Sequence, residues 1–310
     1  MYGLMLILLC TMPSQLEILE IEAEITESGD NYLSTPYQAF SLDNSLYVWD
    51  MDDGKIWNLD SNGQILKIFG NTGSGPGEFN PRLCSLYVRK GKLAAIHSYG
   101  YKVSIFELDG RYIHSPEISP GKQLVYFEDG ITYSSKPELP GVLFIEDSIN
   151  GTEDVVTLPV KQDDVFYYYF TSVIDNRVFI CSRSGKFNTV YYALFENHKE
   201  AFTGSFETVM KTEPEDIPSK LKSNSFTITT MSGIFNSPEL GIIITESCVK
   251  KREKFPDSTI IRTINPNSGS VDTLRIKHGV FKNIPVVFGQ LHADRWVIFS
   301  PGAVFYVKIS

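Results

Sequence analysis

Strand-like segments recur along this chain in sets of four, and the last set is one strand short. Repetition of a small unit that cannot bury both of its faces alone implies stacking of like units around a shared core. The first set covers 37–43, 45–50, 55–60 and 65–70, with Asp43-Asn44, Asp52-Asp53-Gly54 and Ser61-Asn62-Gly63 between its members. Tight hairpins demand such residues, which tolerate positive φ or bond back to their own backbone. The second set is 83–88, 92–97, 102–108 and 111–117, turning at Lys90-Gly91 and Asp109-Gly110. A third (123–127, 130–134, 142–147, 154–158), a fourth (166–173, 177–183, 189–195, 200–205) and a fifth (225–231, 240–247, 259–264, 270–276) follow. The sixth has only 285–291, 295–300 and 303–309.

Upstream of the first set, residues 16–25 read Leu-Glu-Ile-Leu-Glu-Ile-Glu-Ala-Glu-Ile, a partly alternating strand with no hairpin partner nearby. This surplus and the deficit of the sixth set account for each other. If the N-terminal strand is the missing outer strand, the ring closes, both chain ends join one sheet and few edges stay exposed. The expectation is an all-β, six-bladed β-propeller over residues 16–310, its last blade completed by the N-terminal strand. Residues 207–224 are the one long interruption. They hold Glu213-Pro-Glu-Asp-Ile-Pro218, after which a short surface helix could start.

With 310 residues, such a domain buries roughly three-quarters of the unfolded chain's surface and needs no disulfide or metal staple. Aromatics at 13% suit half-buried strand faces. A net charge of −9 opposes a broad nucleic-acid footprint, which needs a basic face, and no nucleic-acid partner is expected. After the extreme N-terminus, no stretch is long and apolar enough to span a membrane as a helix. Cys84, Cys181 and Cys248 fall in strands of different blades and are expected to be free, because a disulfide needs Cα atoms within about 7 Å.

Residues 1–9 are apolar and end at Cys10. The segment is similar to the tail of a bacterial lipoprotein signal, which implies export, a lipid anchor on Cys10 and membrane contact through that anchor alone. Against this, no Lys or Arg precedes the run, and Leu9 stands where a small residue is expected. The alternative is a buried N-terminus in a cytoplasmic protein.

Tyr47-Val48-Trp49-Asp50, Lys55-Ile-Trp-Asn-Leu-Asp60, Asn62-Gly63 and Gly75-Pro76-Gly77-Glu78-Phe79 with Pro81 resemble the NHL-type repeats of six-bladed propellers. Asn58 through Ile65 is echoed one blade later by Phe106-Glu-Leu-Asp-Gly-Arg-Tyr112. The likeness extends to the propeller lipoproteins of Bacteroides-type envelopes and is clear over residues 37–113. Physically, the Gly-rich segment lets the chain cross from an outer strand to the next inner one. Gly73, Gly75 and Gly77 would take angles closed to other residues while Pro76 stiffens the crossing. A phosphate loop would need a Gly-Lys-Ser/Thr ending or a helix after it, and neither is present.

Enzymes of this architecture allow a comparison of sites. Calcium-dependent lactonase propellers hold their metal at the inner-strand starts, where this chain has Gln38, Arg82, Gln123, Tyr167, Ser225 and Val286. That set makes no acidic cage. Amidating-lyase propellers need several zinc-binding histidines, and here five are scattered. No metal or other cofactor is therefore expected. Asp50-Met-Asp-Asp-Gly54 reads as a turn, and Lys250-Lys-Arg-Glu-Lys254 as a solvated hairpin tip. No G-x-S-x-G elbow occurs. His97 and His292 are the best single histidine candidates, although a histidine so placed more often holds a wall.

Loops from outer to inner strands share one end of a propeller with those joining second to third strands. There Arg82, Tyr99, Tyr101, Lys136, Arg183 and Lys186, with His97 close by, would surround the channel mouth. Basic and aromatic groups around a concavity suit an anionic or sugar-like ligand, a peptide or a protein partner. The expectation is a non-catalytic binding propeller. A hydrolase or lyase with a metal-independent channel site is the alternative.

Overall fold

Among the described residues, backbone hydrogen bonds gather the strands of the computed structural model into four four-stranded sheets, two short two-stranded ones and one eight-stranded sheet, the last being two blades joined at their edges. Described are residues 16–309, apart from 29, 43, 80–82, 98–99, 129, 161–165, 175, 185–188, 208–227, 238–240, 250–257, 282–286 and 293–294. The Cys10 segment, the helix start at Pro218 and the basic run at 250–254 all lie outside these.

From the innermost strand outward, blade 1 is Pro36–Leu42, Ser45–Asp50, Lys55–Asp60 and Ile65–Phe69. Blade 2 is Leu83–Arg89, Lys92–His97, Lys102–Glu107 and Tyr112–His114. Blade 3 is Gln123–Glu128, Ile131–Lys136, Leu139–Asp147 and Thr152–Thr157. Blade 4 is Phe166–Ile174, Arg177–Ser184, Thr189–Glu196 and Lys199–Glu207. Blade 5 is Ile228–Ser237, Gly241–Val249, Ser258–Ile264 and Val271–Lys277. Blade 6 is Val287–His292, Arg295–Ser300 and Ala303–Ile309, completed by Leu16–Ile25. The outer strand of blade 2 is shorter than its sequence pattern suggests, because Pro116 lacks the N–H that would continue the ladder.

The N-terminal strand closes the ring as expected. It pairs antiparallel with the third strand of blade 6, from Ile18↔Ile309 to Ile25↔Val304. Its first residues also pair in parallel with the outer strand of blade 5, Leu16↔Ile276 and Glu17↔Lys277. That second pairing was not legible in the sequence, and it makes one segment the staple of two blades. Ile18 and Ile25 are buried and Ile21 is exposed, so the bulges at Ile18/Glu20 and Ile21/Ala23 set which side chains face inward.

The Gly-Pro-Gly-Glu-Phe connector is a self-tied loop. Glu78 accepts a hydrogen bond from Gly75 N at 2.7 Å, and Gly73 N donates to Phe79 O at 2.9 Å. Lys102 Nζ donates to the carbonyls of Ser74, Gly75 and Glu78. Of the three glycines only Gly77 has positive φ. Gly73 is there for room, because a Cβ on it would lie 2.1 Å from the Glu78 carboxylate. The loop delivers Phe79, fully buried, onto Trp49 and Phe106 at ring distances of 4.8 and 5.3 Å. Its work is to clamp blade 1 to blade 2.

Buried tyrosine hydroxyls fasten the same joint and two others. Tyr47 donates to Leu108 O across blades 1 and 2, and Tyr306 to Asp60 O across blades 6 and 1, both at 3.2 Å. Tyr87 donates to Phe127 O at 2.8 Å and accepts from Phe127 N at 2.7 Å. Each ring fills apolar space while its hydroxyl satisfies a backbone group of the neighbouring blade.

Candidate functional site

The end of the ring formed by outer-to-inner connectors and second-to-third turns is rigidly framed in blade 1. Asp50, wholly buried, accepts from Ser34 N at 2.7 Å and Thr35 N at 2.8 Å, binding the incoming connector to the turn after it. Burial pushes the Asp50 carboxyl up, and the two backbone N–H groups pull against that shift. Residues 51–54 form a turn with Gly54 at φ 61°, as expected.

At this mouth the Tyr101 ring is 52% exposed, and its hydroxyl accepts a hydrogen bond from Gln123 Nε2 of the next blade at 3.3 Å. A 3.3 Å bond is long, but it fixes the tip of an otherwise free ring. Lys136 reaches over the Phe144 ring at 5.0 Å. Exposed Tyr37 and Leu139 belong to the same end. The side chains of Arg82, Tyr99, Arg183, Lys186 and His292 lie outside the described residues.

His97 sits apart from this surface. It is fully buried, shares a hydrogen bond between Nε2 and Ser104 Oγ at 3.1 Å, and meets the Phe79 ring edge-on at 5.7 Å. Burial first, then the Lys102 charge, pushes its pKa down to about 4. Between roughly pH 6.5 and pH 4 the unfolded chain therefore binds a proton at this position that the native chain refuses. The stability contributed by neutral His97 is present above pH 6.5 and is lost as pH falls through about 4. Melting midpoints are expected to drop between pH 7.5 and pH 5.0, and less so in His97→Asn. An equal drop in both proteins would assign the loss to other groups.

The opposite end carries a charged hub that was not foreseen from the sequence. Glu128, the last residue of the inner strand of blade 3, is 4% exposed. Tyr126 OH donates to it at 2.7 Å and Arg89 Nε at 3.1 Å. Lys90 Nζ stands 2.5 Å from its other oxygen, an ion pair lacking hydrogen-bond alignment. His198, from a turn of blade 4, brings Nε2 to 3.4 Å while Tyr133 OH lies 3.2 Å from Nδ1. A neutral ring protonated on Nε2 satisfies both contacts. Burial is the largest influence on Glu128 and opposes its charge, but Lys90, Tyr126 and Arg89 together outweigh it and hold the carboxyl at about 2. Burial also lowers His198; the pull of Glu128 opposes this, and the charges of Arg89 and Lys90 add to it. The hub thus locks blades 2, 3 and 4 through charge-assisted bonds. Aligning the repeats would have exposed it, since Arg89 and Glu128 end the inner strands of adjacent blades with opposite charges.

Cys181 is a buried free thiol, pushed up by burial alone. The side chains of Cys84 and Cys248 lie outside the described residues. Among the described residues no group of three or more His, Cys, Asp or Glu is placed to hold a metal ion.

Six four-stranded blades in a ring closed by the N-terminal strand define a six-bladed β-propeller. No family model matches the chain, and no curated protein does. Among solved structures it is similar to a protein from Bacteroides fragilis provisionally named as exported. The TM-score is 0.55 at 12% identity, over 96% of this chain and 99% of that one. A DUF4221-family member from Bacteroides vulgatus gives a TM-score of 0.53 at 13% identity, again over 96% and 99%. At such identity the likeness is one of fold alone.

Proposed function

We propose that this is a non-catalytic binding propeller of the bacterial cell envelope. Its ligand would enter the mouth that bears Tyr101, and its blades descend from NHL-type repeats. One observation carries the binding role: an exposed aromatic ring held at its tip by the neighbouring blade. A pinned tyrosine offers contact area with little entropy left to lose, which is why such residues recur at binding hot spots. The described groups with displaced pKa values support a non-catalytic reading, because burial and blade-to-blade contacts account for their shifts. Export is supported by the naming of the Bacteroides fragilis neighbour.

A thermal-shift screen of neutral and sulfated oligosaccharides and short peptides tests the role, since a ligand of the native state alone raises its melting point. At least one member is expected to stabilise the protein. Tyr101→Ala should weaken that ligand about tenfold and leave the unliganded melt unchanged, because exposed substitutions stay within about 0.5 kcal/mol. Failure of every member, or a ligand indifferent to Tyr101, sinks the proposal. Anchoring is tested separately in bacterial cells. Fatty-acid labelling and membrane fractionation of the protein are expected to be lost in Cys10→Ser, and an unlabelled parent would remove the lipid anchor from this reading.

A further inference from the structure

At the end of the ring opposite Tyr101, a cleft runs between blades 2 and 3 beside Glu128, walled by Arg89, Lys90, Lys92, Ala94, Ile105 and Phe127. Its enclosed room is about 20 Å³, enough for the polar end of a ligand whose remainder stays at the open mouth. The Arg89 side chain is only 17% exposed, and its Nε serves Glu128. Its two terminal nitrogens make no hydrogen bond to any described residue. A guanidinium with most of its N–H groups unspent on protein partners can take further acceptors from a ligand.

Charge balance narrows what those acceptors are. Arg89, Lys90 and Lys92 line the cleft against the single carboxylate of Glu128, so cationic side chains outnumber anionic ones along its described wall. Such a wall suits an anionic group. A guanidinium fork and a carboxylate match in plane and spacing. Ala94, Ile105 and Phe127 offer apolar contact to the carbon atoms behind such a group. We propose that this cleft binds a carboxylate group presented by a ligand, with the Arg89 fork as its principal partner and Lys90 at its rim. The site is independent of the Tyr101 mouth.

The test uses the whole protein at constant ionic strength with acetate, glucuronate, N-acetylalanine, N-acetylalanine amide and inorganic phosphate as probes. Each carboxylate is expected to shift the Arg89 Nε–H resonance saturably, and the amide to leave it in place. Preference for glucuronate or for N-acetylalanine tells a sugar acid from a peptide terminus as the source. Arg89→Lys keeps the charge beside Glu128 but loses the fork, and should weaken carboxylate binding about tenfold. The exposed Lys90→Gln should weaken it about threefold, and Tyr101→Ala not at all. The proposal is overturned if the amide binds equally well, or if phosphate binds more tightly than every carboxylate. It is overturned too if Tyr101→Ala rather than Lys90→Gln reduces the response. Should Arg89→Lys fail to fold, the parent's resonance shift and the Lys90→Gln titration decide the matter.

Discussion

Deleting residues 1–25 is expected to cost the propeller most of its stability. The N-terminal strand supplies Ile18 and Ile25 to the interior, each worth about 1.5–3 kcal/mol on burial. It also covers the third strand of blade 6 along Val304–Ile309 and carries the parallel pairing to blade 5. Without it, apolar Val304 and Val307 lose their cover and an unpaired edge faces solvent, a template for association. The combined loss is expected to exceed about 5 kcal/mol, a large share of the roughly 5–15 kcal/mol that holds a domain together. Urea unfolding of both proteins reads the loss, and light scattering reads edge-to-edge association. Because the missing strand is a separate segment, a peptide of residues 16–25 added in trans should raise the truncated protein's melting point with concentration. An unchanged urea midpoint after truncation would falsify ring closure by this strand.

A second large effect is expected at the joint between blades 4 and 5. Arg262 is 8% exposed, and its Nε lies 2.6 Å from Glu246, which is fully buried. The same guanidinium donates to Glu207 O at 2.9 Å and Thr273 Oγ1 at 3.2 Å, and lies 4.5 Å above the Phe206 ring. Arg262→Met keeps the packing volume but leaves the Glu246 charge buried beside a thioether. Breaking one partner of a buried pair costs about 3–5 kcal/mol. Replacing both, as Arg262→Met with Glu246→Leu, should recover much of that, since the uncompensated charge and not the lost contact dominates the penalty. Chemical unfolding of the parent, both single variants and the double variant forms the cycle that separates these terms. If Arg262→Met costs under about 1 kcal/mol, the pair is not the clamp its geometry describes.

The two expected results lie at opposite ends of what could be read in advance. The strand over 16–25 was legible because its pattern is local, alternating apolar and acidic residues over ten positions. Its destination followed from counting, since a ring of four-stranded blades with one strand missing admits one completion. Hairpin turns were legible for the same reason. Asn62-Gly63 and Asp109-Gly110 state their backbone angles in their own chemistry, and both glycines have positive φ. The Phe79 clamp was legible as a connector, although the reason for Gly73 was space and not angle.

The contacts that join blades were not legible. Arg89 and Glu128 are 39 positions apart, and each looks like an ordinary charge before a turn. Glu246 and Arg262 are 16 apart, each the only charged residue of its strand. His97 looked like a candidate for the mouth, but it is the wall behind Phe79. Local propensity and alternation depend on neighbours within a few residues, so the chain alone determined strands, turns, blade count and closure. Which charges meet, which histidine is held neutral and which guanidinium keeps an unspent fork depend on how adjacent blades rotate and pack. Only the closed ring fixes that rotation, so only the tertiary structure decided them.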